Sequence, residues 1–266
     1  MPLEQHDGHG AADSAGTPWQ GRSFGDAAPS DDDGSAAPAL IEILRGFRSG
    51  EVAAAAVVDV IRASRLLIPL VAELAEAGVG PTGLRIDKSA DLSIVTVAGP
   101  DGRGVMPVFS SVDSMRRWNP LARPVPADAV RVGLAAASEH TDLVVLDPMS
   151  ETEFAIRRPA VWAIAQQLPW VPSYLDPEVA AEFANSADAE QQVLAVSLAA
   201  GDPRARLAGP ELVVVLELAP GLDQSALSAV VARLQERWSA SEVIAARVDS
   251  VAVRLLAAGP SDMPEG

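Results

Sequence analysis

Two stretches decide the fold: GVMPVFSSVDSMRRW, Gly104 to Trp118, and DLVVLDPMSETEFAIRR, Asp142 to Arg158. In the first, an apolar run stops at Ser110-Ser111 and gives way at once to Val112, Met115 and Trp118 at helical spacing, so a buried strand feeds directly into a helix. Serine is a favoured helix cap because its hydroxyl accepts from a first-turn N–H, which makes the serine pair the junction. In the second, Leu143 to Leu146 is a continuous apolar run of the kind buried on both faces of a sheet. Asp147-Pro148 is a turn signal, and Glu153 to Ile156 returns as a strand. Pro159 suits the first turn of a helix running to about Leu168.

Working outward, Leu92 to Ala98 and Gly104 to Phe109 flank the turn residues Gly99-Pro100-Asp101-Gly102 and read as a hairpin. Upstream, Pro38 opens a short helix with Leu40, Ile41, Leu44 and Phe47 on one face; Ser49-Gly50 breaks it before an Ala-rich helix from Glu51 to Ala63. Leu66 to Val71 is a short strand that Pro69 assigns to a sheet edge, because proline has no N–H for a ladder. Asp128 to Ser138 forms a second Ala-rich helix, and Pro169, Pro172 and Pro177 punctuate the chain beyond Leu168. Strands at Gln192–Leu198 and Leu212–Leu218, a helix with Leu227, Val230, Val231, Leu234 and Trp238 on one face, and a strand from Ala246 to Leu256 then make an α+β layer.

The expected organisation is a disordered acidic tail over 1–37 and an N-terminal domain over 38–171, its mixed β-sheet flanked by helices. A Pro-containing linker with one helix over 172–187 leads to a smaller α+β C-terminal domain over 188–258 and a disordered tail over 259–266. The fold class is α+β, grading into α/β in the first domain. The strand, Pro107-Val108-Phe109-Ser110-Ser111 and helix order resembles the SseB family, named for an enhanced serine-sensitivity phenotype. The likeness runs over roughly residues 38 to 257 and is architectural in the second domain. It implies an α/β domain followed by a smaller one and a link to serine sensitivity. No catalytic residue carries over, because the family has none assigned.

Composition narrows the function. A chain of 266 residues, 48% hydrophobic, can fill a core, and with five Phe, five Trp and one Tyr that core is mainly small and aliphatic. Acidic residues outnumber basic ones 36 to 20, a net charge of -16 that repels a phosphate backbone and argues against nucleic acid as a partner. The absence of cysteine excludes disulfides, thiolate metal sites and cysteine nucleophiles. The longest apolar run, Val52 to Ile61, is interrupted by Asp59 and falls short of the roughly 18 residues of a membrane span. With Glu4, Asp7, Asp13, Asp26 and Asp31 to Asp33 against a single Arg22, the N-terminal segment lacks the pattern of a secretory signal, so a soluble cytoplasmic protein is expected.

No residue set spells out a reaction. His6 and His9 lack a third ligand, and His140, beside Glu139 and Asp142, has no Gly-flanked serine nucleophile to serve. No metal, no cofactor and no catalytic activity are expected. The candidate binding surface is Ser110, Ser111, Arg116, Arg117 and Trp118 at the first strand end, with Asp147, Glu151, Arg157 and Arg158 beyond the second. Strand ends in open α/β sheets often hold ligands, helix amides suit anions, and converging arginine pairs would form a positive patch in an acidic protein. The resulting expectation is a binding or regulatory module taking a protein partner. A sensor of an amino acid or anion is the alternative, and a hydrolase or transferase the third reading.

Overall fold

The computed structural model describes residues 33–72 and 92–258. The expectations for the acidic segment up to residue 32 and for the terminal stretch 259–266 lie outside them. The chain order is α1 (Pro38–Ser49), α2 (Ala54–Arg62), β1 (Arg65–Ala72), β2 (Leu92–Ile94), β3 (Val97–Ala98), β4 (Gly104–Val108), α3 (Val112–Trp118), β5 (Arg123–Asp128), α4 (Ala129–Ser138), β6 (Leu143–Leu146), β7 (Phe154–Ile156) and α5 (Arg158–Ala165). A short 3-10 turn (Ser173–Leu175) leads into α6 (Pro177–Ala187), β8 (Val193–Ala200), β9 (Leu212–Leu218), α7 (Gln224–Ala240), α8 (Glu242–Arg247) and β10 (Val251–Ala257).

The sheet that carries the site has the order β3-β4-β6-β7, with β4 and β6 parallel and both flanking pairs antiparallel. Its continuous apolar runs have a simple cause: each face meets a different apolar cluster. Met106, Val108, Val144 and Leu146 point into the main core beneath α1, α2, α4 and α5. Val105, Leu143 and Val145 face the other way, against Leu207 and Ala205 of the loop before β9. Strands covered on both sides do not need the alternation of a half-exposed strand. Helices α4 and α5 approach closely because Gly133 has no side chain; a Cβ there would sit 2.8 Å from the Cβ of Ala165.

The second sheet, β2-β1-β5, corrects two expectations. β1 is a central strand despite Pro69, and Arg123–Asp128, not anticipated as a strand at all, is its neighbour β5. Leu67 donates to and accepts from Phe109 on the side away from β5, so its pairing with Pro126 carries no ladder bonds. With a period of two, neither does Pro69 opposite Pro124. Pro69 therefore needs no donor toward β5, and on its other side it falls in the gap between the Phe109 bridge and the β2 ladder, which begins at Leu70. Pro124 and Pro126 turn their missing donors away from β1 on an edge strand. The stretch 92–98 also divides: β3 pairs with β4 around the 99–103 turn, whereas β2 joins β1.

The second apolar core is built on β10-β9-β8, with β9 parallel to β10 and antiparallel to β8. Leu212, Val214, Leu216 and Leu218 point toward α6 and α7, meeting Val179, Phe183, Val230, Leu234 and Trp238. Phe183 and Trp238 pack edge to face with centroids 5.1 Å apart. The segment 172–187, expected as a linker, therefore contributes α6 to this core, with Val179 and Phe183 fully buried. The final strand begins at Val251 rather than Ala246, because α8 occupies Glu242–Arg247 first. Both cores lie within one unit, Gly34–Gly266. Residues 34–37, expected to belong to a disordered tail, are anchored: the Gly34 carbonyl accepts the Val112 N–H at 2.9 Å.

Candidate functional site

Because β4 and β6 run parallel in register from Val105↔Leu143 to Val108↔Leu146, their carboxyl ends finish side by side. Asp147 donates its N–H to the Val108 carbonyl at 2.8 Å, and its carboxylate then faces the serine junction after β4. Oδ1 accepts the Ser110 N–H at 2.9 Å; Oδ2 accepts the Ser110 hydroxyl at 2.6 Å and the Thr152 hydroxyl at 3.0 Å. Asp147 is 1% exposed, so these bonds replace water around a buried polar group. The loop beyond is over-determined. Asp147 and Met149 hold φ of 48° and 61°, Ser150 returns its N–H and hydroxyl to the Asp147 carbonyl, and Glu153 accepts the Met149 N–H. Left-handed non-glycine residues cost about 1–3 kcal/mol each and persist where the surroundings hold them.

The two serines do different things. Ser111 is the cap: its hydroxyl accepts the Ser114 N–H at 3.1 Å while Ser114 Oγ accepts the Ser111 N–H at 3.2 Å, a reciprocal capping box. Ser110, buried, belongs to Asp147. With the Val112 N–H on Gly34 as well, the amides of Ser110, Ser111, Val112 and Ser114 are all occupied. The junction is a helix cap, the role its serines suggested, and these four amides are not free for an anion.

Around these strand ends lies a cleft of about 620 Å³. Ser110, Ser111, Arg117, Trp118, Asp147 and Glu151 of the expected surface all line it, joined by Ile41 and Arg45 of α1, which the sequence did not single out. Arg45 and Arg117 are exposed and have no hydrogen-bond or ion-pair partner among the described residues. Trp118, half-buried, packs against Phe109 at 5.3 Å between centroids and walls one side. Arg116, one residue away on α3, is exposed and does not line the cleft. His140 is exposed and follows α4 with φ 53°, forming no bond to Asp142 or Glu139 among the described residues. No group of three or more His, Cys, Asp or Glu is arranged to hold a metal among the described residues.

Arg157 and Arg158 lie elsewhere, and the converging positive patch does not form. Arg157 is buried where the two cores meet. Its Nη1 donates to Asp249 (3.0 Å) and Ser250 (3.2 Å), its Nη2 to Asp202 (2.8 Å) and the Gly209 carbonyl (2.7 Å). Arg103 reaches the same Asp249 through both Nη atoms at 2.8 and 3.0 Å. Burial pushes the Asp249 carboxyl up, but Arg103 and Arg157 outweigh it and hold it below the ordinary aspartate value. Arg158 donates to the carbonyls of Ala245 and Val248 and stacks over Trp162 at 5.0 Å. Both arginines join the first core to the second. No local signal in the sequence distinguishes them from Arg116-Arg117, because their partners lie 45 to 93 residues further on.

The fold and cleft define a class first: an α+β protein with a polar recess at the carboxyl ends of adjacent parallel strands. Residues 40–163 match the SseB protein N-terminal domain, so that span of the chain is similar to the domain that defines the SseB family. That span runs from α1 into α5 and includes both strand ends and the cleft. No curated protein and no solved structure matches the chain.

Proposed function

We propose that this chain is a non-catalytic, cytoplasmic binding or regulatory protein of the SseB family, and that the cleft at the ends of β4 and β6 is its contact surface. Arg45 and Arg117 carry the reading: in an acidic chain, two guanidinium groups from different helices stand free around one polar recess. A free guanidinium offers planar, paired donors suited to carboxylate or phosphate. The partner is therefore a protein presenting an acidic segment. Catalysis is not part of the reading, because Ser110 and Asp147 are 2% and 1% exposed, so the serine hydroxyl bonded to that carboxylate is shielded from a substrate.

A second reading, a sensor of a free amino acid, is favoured by Glu151, which places a carboxylate on the same cleft as the two arginines. An α-carboxylate would meet Arg117 or Arg45 and an α-ammonium Glu151. It also suits the family's link to serine sensitivity. Isothermal titration of the purified chain with serine, other amino acids and an acidic peptide separates the readings. Peptide binding lost in an Arg45→Glu/Arg117→Glu variant, with no heat from amino acids, supports the first; saturable heat from serine, lost in Glu151→Gln, supports the second. Unchanged binding in both variants removes the cleft.

A further inference from the structure

A second pocket lies between the two cores, far in sequence from the serine junction, and its chemistry differs from that of the cleft. It holds about 50 Å³, room for roughly three to five water-sized groups. A chain with only five Phe, five Trp and one Tyr brings Phe47, Phe154, Trp170 and Tyr174 to its wall. Glu211, 7% exposed, also lines it.

Three buried polar atoms in and beside this pocket have no hydrogen-bond partner among the described residues: Glu211 Oε1, Trp170 Nε1 and Ser173 Oγ. Buried polar groups are nearly always paired, since an unpaired one carries its whole desolvation cost. Glu211 Oε2 accepts the Asp249 N–H at 2.6 Å, which anchors the side chain and leaves Oε1 the unmet acceptor. Ser173 lies close enough to favour the ionised carboxylate without completing a bond to it. Trp170 Nε1–H is the unmet donor on the wall. The other charges are committed: Arg157 to Asp249, Asp202, Ser250 and Gly209, and Asp202 to Arg157 and the amides of Arg206 and Leu207. What remains for an occupant is one carboxylate oxygen with the Ser173 hydroxyl near it, one indole N–H and aromatic faces; the carboxylate and the ring faces attract a cation and repel an anion.

We infer that this pocket binds a small ammonium ligand of a few heavy atoms, its N–H groups on Glu211 Oε1 and an oxygen accepting from Trp170 Nε1–H, in the manner of an amino alcohol. Burial raises the Glu211 carboxyl above its ordinary value, partly offset by the Asp249 N–H, so an arriving cation would relieve an unfavourable charge. The inference does not rest on the cleft at the strand ends, and the Arg45 and Arg117 variants leave it untouched.

The test uses three probes of similar size on the full chain: ethanolamine, with both anchors; ethylamine, with the cation alone; and ethylene glycol, with oxygens alone. The readouts are the unfolding midpoint and the Trp170 indole N–H resonance, assigned with Trp170→Phe. Ethanolamine should raise the midpoint progressively and move that resonance, ethylamine should raise the midpoint less, and the glycol should do neither. Glu211→Gln, which keeps an acceptor for the Asp249 N–H, should abolish the response to both amines, and Trp170→Phe should erase the advantage of ethanolamine over ethylamine. The inference is overturned by a wild type that responds to ethanolamine no more than to matched sodium chloride, by an equal response to all three probes, or by a Glu211→Gln variant that responds like wild type.

Discussion

Arg116-Arg117 and Arg157-Arg158 look alike in sequence and differ completely in the folded molecule. The first pair projects from α3 into solvent, with Arg117 on the cleft, and neither residue has a partner among the described residues. The second pair is bonded to groups on or near β9, α8 and β10 and ties one core to the other. A basic pair stays available to solvent and ligands where its charges are uncompensated and becomes structural where buried carboxylates meet it.

The sharpest way to break this comparison is Arg157→Ala. It leaves Asp202, 3% exposed at its side chain, without its cation and Asp249, 1% exposed, with Arg103 alone. Removing one partner of a buried pair costs about 3–5 kcal/mol, and chemical denaturation should show it. Asp147→Ala comes next: it leaves the Ser110 N–H and hydroxyl unmatched and the Thr152 hydroxyl with Ser150 alone, and about 1–3 kcal/mol should be lost by the same measurement. Asp147→Asn should lose less, since asparagine keeps an acceptor and tolerates the left-handed backbone. Ser111→Ala removes the cap of α3 and should cost about 0.5–2 kcal/mol, with Ser111→Asp recovering most of it.

Two carboxylates of the second half should respond to pH in opposite directions. Glu190 is held down to about 2 by Arg233 and then Arg237. Its stabilising contribution is present above the ordinary value of 4.5 and is lost as pH falls toward about 2. Glu211 is raised by burial, so its contribution is full below the ordinary value and declines as pH rises through its raised pKa. Glu190→Gln should flatten the acid limb of a plot of unfolding midpoint against pH, and Glu211→Gln the decline above pH 4.5. A Glu211→Gln profile identical to wild type would remove the buried charge from the account. The smallest stability effect belongs to Arg117→Ala, within about 0.5 kcal/mol in denaturation, while titration should show binding at the cleft reduced.

Local pattern carried much of the fold. The strand-to-helix run through Ser110-Ser111, the doubly buried Leu143–Leu146 and the amphipathic α7 are visible because their periodicity or its absence reports the burial of each face. Pro69 misled because a proline's missing donor matters only on a side where a neighbour would have used it, and that depends on register with Phe109 and β2. β5 was hidden by Pro124 and Pro126 for the same reason. Half of the site was legible: Ser110, Ser111, Arg117, Trp118, Asp147 and Glu151 do share a cleft, because parallel β4 and β6 must end together. Arg45 was not, since α1 is brought to those strand ends by core packing through Leu40 and Leu44.

By itself the sequence determined the likeness of residues 40–163 to the SseB N-terminal domain, the α+β class, the serine cap and the strand ends at which a recess would form, since these depend on composition and short-range spacing. Only the tertiary structure decided which charges remain free. Arg157 is silent in sequence because Asp202 and Asp249 lie 45 and 92 residues away, and Glu211 meets Trp170 and Phe47 only where the two cores close on each other. Charge compensation acts over a few ångströms of space, and distance along the chain carries no measure of it.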